Sequence, residues 1–517
     1  MSFQVEAQLE ELARPEVFGA STPVEIVQTH ISVVCLVGDQ AYKFKKAVRL
    51  PFVDFSTPEL RERACRDELR LNRRLCPDVY LEVVPLRRTA VGLRAGAATP
   101  AGGSLVDHGV RMRRLPAERM LDVLLGEGTV TAGEIEDLAR RVARFHASAA
   151  AEVDAEVRDA GAPDALLAQI RANFRDTQGS ACLDRNLHAA LRHRVERALP
   201  GLRTAMQGRA AAGRIVEGHG DLHARNICMT SPPSIYDCIE FRRDFRCGDV
   251  ATEVAFLAMD LRHRGHRALA EAFVEAYVAA SGDRGLPLVL PELIRYRAMV
   301  RTKVGTLVAA DASIPAADRE RAAGTARRHL RLAAWTRVED DGPLALVATG
   351  LPASGKSYVL ERLAAEAGWP LFATDRIRKE LAGVAAAERL PDGCYGQDFS
   401  DRTYAELIAR AARTGGAVIL DGNFPDLARR AAAVAAVEAA GKRAVLLHFA
   451  VEDEVARARL GQRSRDPVAV SDADEAVYER LRARYEPPTG ADRARIVAVD
   501  GGLERERALD LLATALL

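Results

Sequence analysis

The stretch GLPASGKS, residues 350–357, sits between an apolar run, LALVAT, and a segment with helical periodicity. This is the feature that most narrows what the chain can fold into. A GxxxxGK[ST] spacing after a strand and before a helix lets the backbone curl so that its N–H groups face inward. Gly350 and Gly355 permit the curl. The loop from Gly350 through Pro352, Ala353, Ser354 and Gly355, with Lys356, Ser357 and Tyr358 opening the helix, is expected to hold a nucleotide. Lys356 would reach the outer phosphates, and the Ser357 hydroxyl would bind Mg²⁺. Beyond the loop, strands and helices alternate: PLFATD, AVILDG, AVLLHFA and RIVAVD each precede or follow a helical pattern. That alternation predicts a parallel sheet flanked by helices, an α/β fold.

Three further features belong to this half. FATDRIRKEL places Asp375 at the end of the second strand, with Arg378 three residues on. Both then face the loop across the carboxyl ends of the strands, where such sheets bind ligands. The alternative for Asp375 is a helix N-cap. AVILDG places Asp421 at the end of a buried strand, suited to a metal-water contact. ARARLGQRSR carries Arg457, Arg459, Arg463 and Arg465 on what reads as a helical lid, or else on a solvated helix face. Lid arginines can neutralise a transferring phosphoryl group.

The chain has 517 residues, too many for one ordinary domain. Acids, Gly342 and Pro343 break the helical pattern in RVEDDGPLALV. The boundary is therefore expected there, with domains at 1–338 and 342–517. A formal net charge of +1 gives no case for a nucleic-acid coat or a membrane-surface protein. The eight cysteines form no CxxC pair, and Cys228, Cys238 and Cys247 lack zinc-ligand spacing, so they read as buried thiols. The opening MSFQVEAQLEELARPEVFG has no basic start and no apolar h-region, and no run approaches a membrane span. The chain is expected to be cytoplasmic. Of 73 basic residues only seven are lysines, and three of these, Lys43, Lys45 and Lys46, fall within four residues. A compact ammonium kept at so few places suits phosphate contacts that a planar guanidinium cannot make; the alternative is codon bias plus chance.

The first half reads as short strands (VEIVQ, ISVVCLV and AYKFKKAV), a helix opened by Thr57 and Pro58, two more strands, then long helices. Gly38-Asp39 predicts a hairpin turn. Within HGDLHARNI, residues 219–227, Asp221 and Asn226 stand as D-x-x-x-x-N. In protein-kinase-like enzymes this spacing joins a proton-accepting Asp to a Mg²⁺-binding Asn. The alternative is a turn capped by polar side chains. Asp237 follows at the end of the apolar IYDCI, where a second metal-binding acid belongs. Upstream, Lys43 can sit on the phosphates with Glu68 on the next helix as its ion-pair partner. Lys45 shares the face of Lys43 and competes for that role.

Residues 20–335 resemble the aminoglycoside-phosphotransferase family, which carries HGDLHxxN where protein kinases carry HRDxxxxN. The match here is His219, Gly220, Asp221, Leu222, His223 and Asn226, with Asp237-Cys238 after it. The resemblance implies an α+β protein-kinase-like domain with a strand-rich lobe over a helical one, and structural roles for Asp249, His219 and His223. One departure is the lack of a GxGxxG loop before Lys43; THISVVCLVGDQ stands in its place, leaving Ser32 and the backbone to cover phosphates. Residues 342–517 resemble the P-loop kinases of zeta-toxin and polynucleotide-kinase type. By that resemblance Asp375 is a base for the acceptor hydroxyl, and Arg378 contacts the acceptor or its phosphate. Together the halves resemble a bacterial fused phosphotransferase–ATP-binding protein.

These resemblances imply a bifunctional phosphotransferase with two ATP–Mg²⁺ sites, acting on hydroxyl groups of a small molecule or nucleotide-type acceptor. Asp221, Asp375, Arg378, Arg459 and Arg463 would carry catalysis, and Asn226, Asp237, Ser357 and Asp421 the metal. A polynucleotide 5′-hydroxyl kinase acting on a nucleic-acid end, and a regulatory ATP-binding protein without transfer, are the rival expectations.

Overall fold

The computed structural model describes residues 4–50, 53–96, 103–385, 388, 390–391, 393–463 and 475–517. The chain divides into two compact units, one of residues 1–169 with 200–293, the other of 170–199 with 294–517.

In the first unit, alternating apolar strands form a six-stranded antiparallel sheet. Its order is Val24–Gln28, Ser32–Val37, Gln40–Lys45, Ser104–Arg113, Tyr80–Thr89 and Gly92–Ala95. The turn at Gly38-Asp39 joins the second and third strands in register Val37↔Gln40, and Gly38 takes φ +57° there. The helix Pro58–Asn72 begins as its sequence predicts: the Thr57 hydroxyl accepts from the Leu60 amide at 3.3 Å, and proline occupies the first turn. A buried pair joins this helix to the sheet, with Arg61 Nε 2.9 Å from Asp107 Oδ2. Arg61 also donates to the Phe55 carbonyl, so the guanidinium is satisfied on two sides.

The helical part of this unit is built around Val250–His263, which is buried on all faces from Val250 to Leu261. Its two buried acids, Glu253 and Asp260, lie seven residues apart on one face and accept backbone amides of the 219–224 segment. Asp249 caps it by accepting from the Ala251 amide at 2.8 Å, while Arg209 pairs with both Asp249 and Asp283. The helix Ala132–Ala150 opens with a capping box between Thr131 and Glu134.

The second unit holds a five-stranded sheet in which every pairing is parallel. Its order is Leu371–Ala373, Val418–Asp421, Leu344–Thr349, Arg443–Ala450 and Arg495–Asp500. The central strand, Leu344–Thr349, is buried at all six positions, as expected of a strand covered by helices on both faces. From this strand the chain crosses to the edge strand Leu371–Ala373, returns to Val418–Asp421 beside it, and then passes to its other side, so the strand order reverses here and a crevice opens at its carboxyl end, where GLPASGKS begins.

The helix Ala316–Asp340 belongs to this unit. Arg331, without solvent exposure, pairs with Glu366 at 2.8 Å, Asp510 at 2.9 Å and Glu506 at 2.6 Å. Trp335 packs edge-on against Trp369, whose indole donates to Glu339 at 2.7 Å.

Candidate active sites

The first site is assembled from four separated segments. The strand Gln40–Lys45 carries Lys43, the helix Pro58–Asn72 carries Glu68, the loop after Glu217 carries Asp221 and Asn226, and the residues after the strand Ser234–Ile235 carry Asp237. Lys43 Nζ lies 2.7 Å from Glu68 Oε1 and 2.6 Å from Asp237 Oδ1. Burial by itself disfavours the Lys43 ammonium, but Asp237 and Glu68 outweigh it and hold its pKa well above the ordinary lysine value. Burial likewise raises Glu68, and Lys43 with Lys45 brings it back down to about 2. Lys45 is the more buried lysine, with no exposed side-chain surface against 13% for Lys43. Of the two lysines, Lys43 is the one that reaches Asp237.

Asp221 and Asn226 meet as their spacing predicts. Asn226 Nδ2 donates to the Asp221 carbonyl at 3.0 Å and to Asp221 Oδ2 at 3.1 Å. That fixes the amide so that its oxygen points the other way. His223 Nε2 lies 3.2 Å from the same Asp221 oxygen. A two-strand ribbon, Ile227–Cys228 with Ser234–Ile235, then returns the chain, and the Tyr236 amide donates to the Asn226 carbonyl at 3.0 Å. The ribbon thus sets Asp237 beside the Asn226 segment. Asp237 adopts φ +62°, a left-handed conformation uncommon for a residue with a Cβ.

The loop is held from beneath by a residue the sequence did not single out. Glu253 Oε1 accepts from the His219 and Gly220 amides, both at 2.5 Å, and Oε2 lies 2.8 Å from His146 Nε2. Burial alone would raise this carboxyl; the His146 bond, the His146 and His219 charges and the Gly220 amide hold it at about 2. Gly220 has φ +85°, and a Cβ there would stand 2.9 Å from the Phe245 carbonyl. His219 reaches the Tyr236 carbonyl at 3.0 Å and so braces the loop. Asn72 was also missed: it donates to the Glu68 carbonyl at 2.9 Å and accepts from the Cys238 amide at 2.9 Å. No local pattern marks either residue, because the partners that tie them to the site, the His219, Gly220 and Cys238 amides, lie far off in sequence.

Ser32 is placed otherwise than expected. Its hydroxyl is buried and has no hydrogen-bond partner among the described residues, while its amide donates to Thr29 Oγ1 at 2.9 Å. A tight turn, Thr29 to Ser32, therefore occupies the place of a glycine-rich loop, and the Ser32 hydroxyl faces inward.

The second site is the loop 350–357. Gly350 at φ +146°, Ala353 at φ +61° and Gly355 at φ +86° give the curl, and a Cβ on Gly350 would collide with the Phe449 carbonyl at 2.3 Å. Pro352, Ala353 and Ser354 are buried in the loop. Lys356 Nζ lies 2.9 Å from the Gly350 and Leu351 carbonyls and 3.2 Å from Asn423 Oδ1. Ser357 Oγ donates to Asp421 Oδ2 at 2.6 Å. Burial raises the Asp421 carboxyl, against the opposing pull of Lys356 and the Ser357 bond.

Asp375 does not end the strand, which stops at Ala373; it stands in the first turn of the helix Thr374–Ala382. It is not the cap either, since Ala373 holds that position without a side-chain bond. Asp375 lies close enough to Asp421 and Tyr404 to raise both. Arg378 is buried and donates to the Cys394 carbonyl at 2.8 Å and Ser400 Oγ at 3.1 Å, with the Tyr395 ring centroid 5.0 Å away.

Arg459, on the helix Asp453–Arg463, donates to the Ala353 carbonyl at 3.2 Å and the Gly501 carbonyl at 2.9 Å, so it anchors the loop backbone. Arg457 pairs with Glu479. Arg463 ends the helix, and its side chain, like the whole of Arg465, lies outside the described residues. Tyr358 points outward, 58% exposed, with Arg505 stacked 4.5 Å from its ring centroid.

The donor sets suit a hard cation. Asn226 and Asp237 in one site, and Ser357 with Asp421 in the other, offer oxygen only. Together the folds and sites define a kinase-type phosphotransferase carrying a P-loop domain. The comparisons agree with this class. A phosphotransferase enzyme family model matches residues 52–288, and an AAA domain model matches residues 346–488. An uncharacterized protein of Mycobacterium bovis is 32% identical over 420 residues, covering 79% of this chain and 80% of that protein. An uncharacterized protein of Mycobacterium tuberculosis H37Rv matches with the same figures. The chain belongs to the family of these mycobacterial proteins, a phosphotransferase domain followed by a P-loop kinase-like domain.

Among solved structures, it is similar to a gluconokinase from Sinorhizobium meliloti 1021, at 23% identity over 34% of this chain and 92% of that one, with a TM-score of 0.25. It is also similar to a choline/ethanolamine kinase family protein from Mesorhizobium loti, at 16% identity over 63% and 97%, with a TM-score of 0.38. None of the described helices is long and apolar enough to cross a membrane.

Proposed function

We propose that the chain is a bifunctional ATP-dependent phosphotransferase, with a nucleotide site in each domain, that passes phosphoryl groups to hydroxyls of a small-molecule or nucleotide-type acceptor. The observation that carries this reading is the convergence of Lys43, Glu68, Asp221, Asn226 and Asp237 from four segments of the chain. In the first domain Lys43 binds the ATP phosphates, and Glu68 keeps its ammonium in place. Asp221 takes the proton of the acceptor hydroxyl, oriented by Asn226 and His223 on its Oδ2. Asn226 and Asp237 hold Mg²⁺, which neutralises charge on the phosphates when bound.

In the second domain Lys356 and the loop amides bind the phosphates, and Ser357 with Asp421 holds the metal. Asp375, free of any hydrogen bond or ion pair among the described residues, serves as base. Arg378 orients the acceptor.

The test is Mg²⁺-dependent ATP turnover against a panel of sugars, aminoglycosides, nucleosides and 5′-hydroxyl oligonucleotides. Asp221→Ala is expected to abolish transfer by the first domain while leaving ATP affinity nearly intact. Asn226→Ala and Asp237→Ala are expected to weaken Mg²⁺–ATP binding itself. An Asp221→Ala chain with full first-domain activity would show that the residue only caps its turn.

A further inference from the structure

The strand-rich lobe holds a second buried lysine–glutamate pair that the reading above leaves idle. Lys45 follows Lys43 by two residues and so shares its face. Its ammonium lies 2.6 Å from Glu68 Oε2 and against Glu240 Oε1, and its side chain has no exposed surface. Lys43 takes the other oxygen of Glu68 at 2.7 Å, and Asp237 at 2.6 Å. Charge therefore alternates along one chain of contacts: Asp237, Lys43, Glu68, Lys45, Glu240. Its two ends are three residues apart on one loop. Glu68 stands in the middle, each oxygen on a different lysine.

Stability alone gives little reason for such an arrangement. Burying Lys45 and Glu240 costs desolvation that the attraction within a buried pair often does no more than repay, and apolar side chains of similar size would fill the space beside Phe55. What the pair adds is orientation. A carboxylate held by one lysine can swing about its last bond; one whose other oxygen also faces an ammonium, at 2.6 Å, is held against that swing by charge.

We propose that Lys45 and Glu240 are positioning residues of the nucleotide site: they clamp Glu68, and through it set the Lys43 ammonium where the ATP phosphates bind. This rests on the reading of the first domain as an ATP site. Lys45 itself, fully enclosed, does not touch the nucleotide; it acts through Glu68.

Lys45→Met alone would leave Glu68 and Glu240 as buried carboxylates with one cation fewer, so the chain would be destabilised. Lys45→Met with Glu240→Met removes one charge of each sign and keeps the volume. The experiment uses the full-length chain with Lys356→Ala as reference, so that the P-loop does not report. Mg²⁺–ATP binding is measured by calorimetry, and the urea midpoint alongside it. The reference is expected to bind. The double variant is expected to keep the reference midpoint and to bind about tenfold more weakly, the scale on which supports of a ligand-holding side chain act.

A merely structural pair would move the midpoint and leave the affinity of the folded chain alone. If the double variant loses its midpoint, Glu240→Gln, of nearly equal size, carries the test, with weaker binding at an unchanged midpoint expected. Equal affinity in a folded variant overturns the positioning role. No Mg²⁺–ATP binding by the reference overturns the nucleotide reading of the first domain, and the inference with it.

Discussion

Asp375 and Glu253 show how differently a carboxylate can be used. Asp375 stands in the first turn of its helix, with no side-chain hydrogen bond or ion pair among the described residues. Asp375→Asn keeps size and polarity but cannot accept a proton. The expected outcome is nucleotide binding by the second domain as before, with transfer to an identified acceptor lost. A wild-type rate in that variant would remove Asp375 from the chemistry. Glu253 is buried and fully engaged, with a pKa near 2 in place of the ordinary 4.5. A carboxyl depressed on folding stabilises the fold above its unfolded pKa, and that contribution drains away as pH falls through the folded value. Here the window runs from about 4.5 down to about 2. The shift corresponds to roughly 3 kcal/mol at neutral pH. Urea midpoints measured from pH 6 to pH 2.5 are expected to fall less steeply in Glu253→Gln than in the parent, from a lower starting value. Parallel curves would mean that Glu253 is not what titrates.

Among the elements, the helix Pro58–Asn72 carries the most consequence, because Glu68 reaches Lys43 only if this helix keeps its place on the sheet. Its buried Arg61–Asp107 pair fixes that placement. Arg61→Met leaves Asp107 buried without its partner, at an expected cost of about 3–5 kcal/mol. The prediction is a lowered urea midpoint together with weakened Mg²⁺–ATP binding by the first domain. Unchanged ATP affinity in the folded variant would show that the helix is placed by apolar packing alone. The P-loop makes the contrasting case. Its geometry is local, and Gly350→Ala meets both a forbidden φ and the Phe449 carbonyl at 2.3 Å. Loss of nucleotide binding by the second domain is expected there without wholesale unfolding of the first.

At the scale of the whole molecule, the break in pattern at Gly342 and the packing of the preceding helix bear on where the P-loop half can be cut. A fragment of residues 342–517 lacks the helix that carries Arg331 and Trp335, and so loses the shared cation of Glu366 and Asp510 and the apolar cover on Trp369, leaving Arg362 as the partner of Glu366. A fragment of residues 311–517 retains that helix. The longer fragment is expected to unfold at the higher urea concentration, because it keeps Trp335 packed on Trp369 and the Arg331 pairs. Equal midpoints would place the stability of the P-loop sheet entirely within residues 342–517.

The sequence by itself determined the parts whose chemistry is written in neighbouring residues. GLPASGKS, the D-x-x-x-x-N spacing of Asp221 and Asn226, the hairpin at Gly38-Asp39 and the cap at Thr57 each depend on a few bonds between residues close in the chain. Short-range geometry is what a pattern can record. Tertiary structure decided the rest. It separated Lys43 from Lys45, which alternate identically along a strand, by burying one and leaving the other beside Asp237. It brought Glu240, Asn72 and Glu253 into the first site and turned the Ser32 hydroxyl inward. It also placed the helix Ala316–Asp340 in the unit that holds the P-loop, against the helices of Glu366 and Asp510. Those outcomes rest on which charges are desolvated together across long stretches of chain, and desolvation belongs to the folded surroundings of a group, not to its neighbours in sequence.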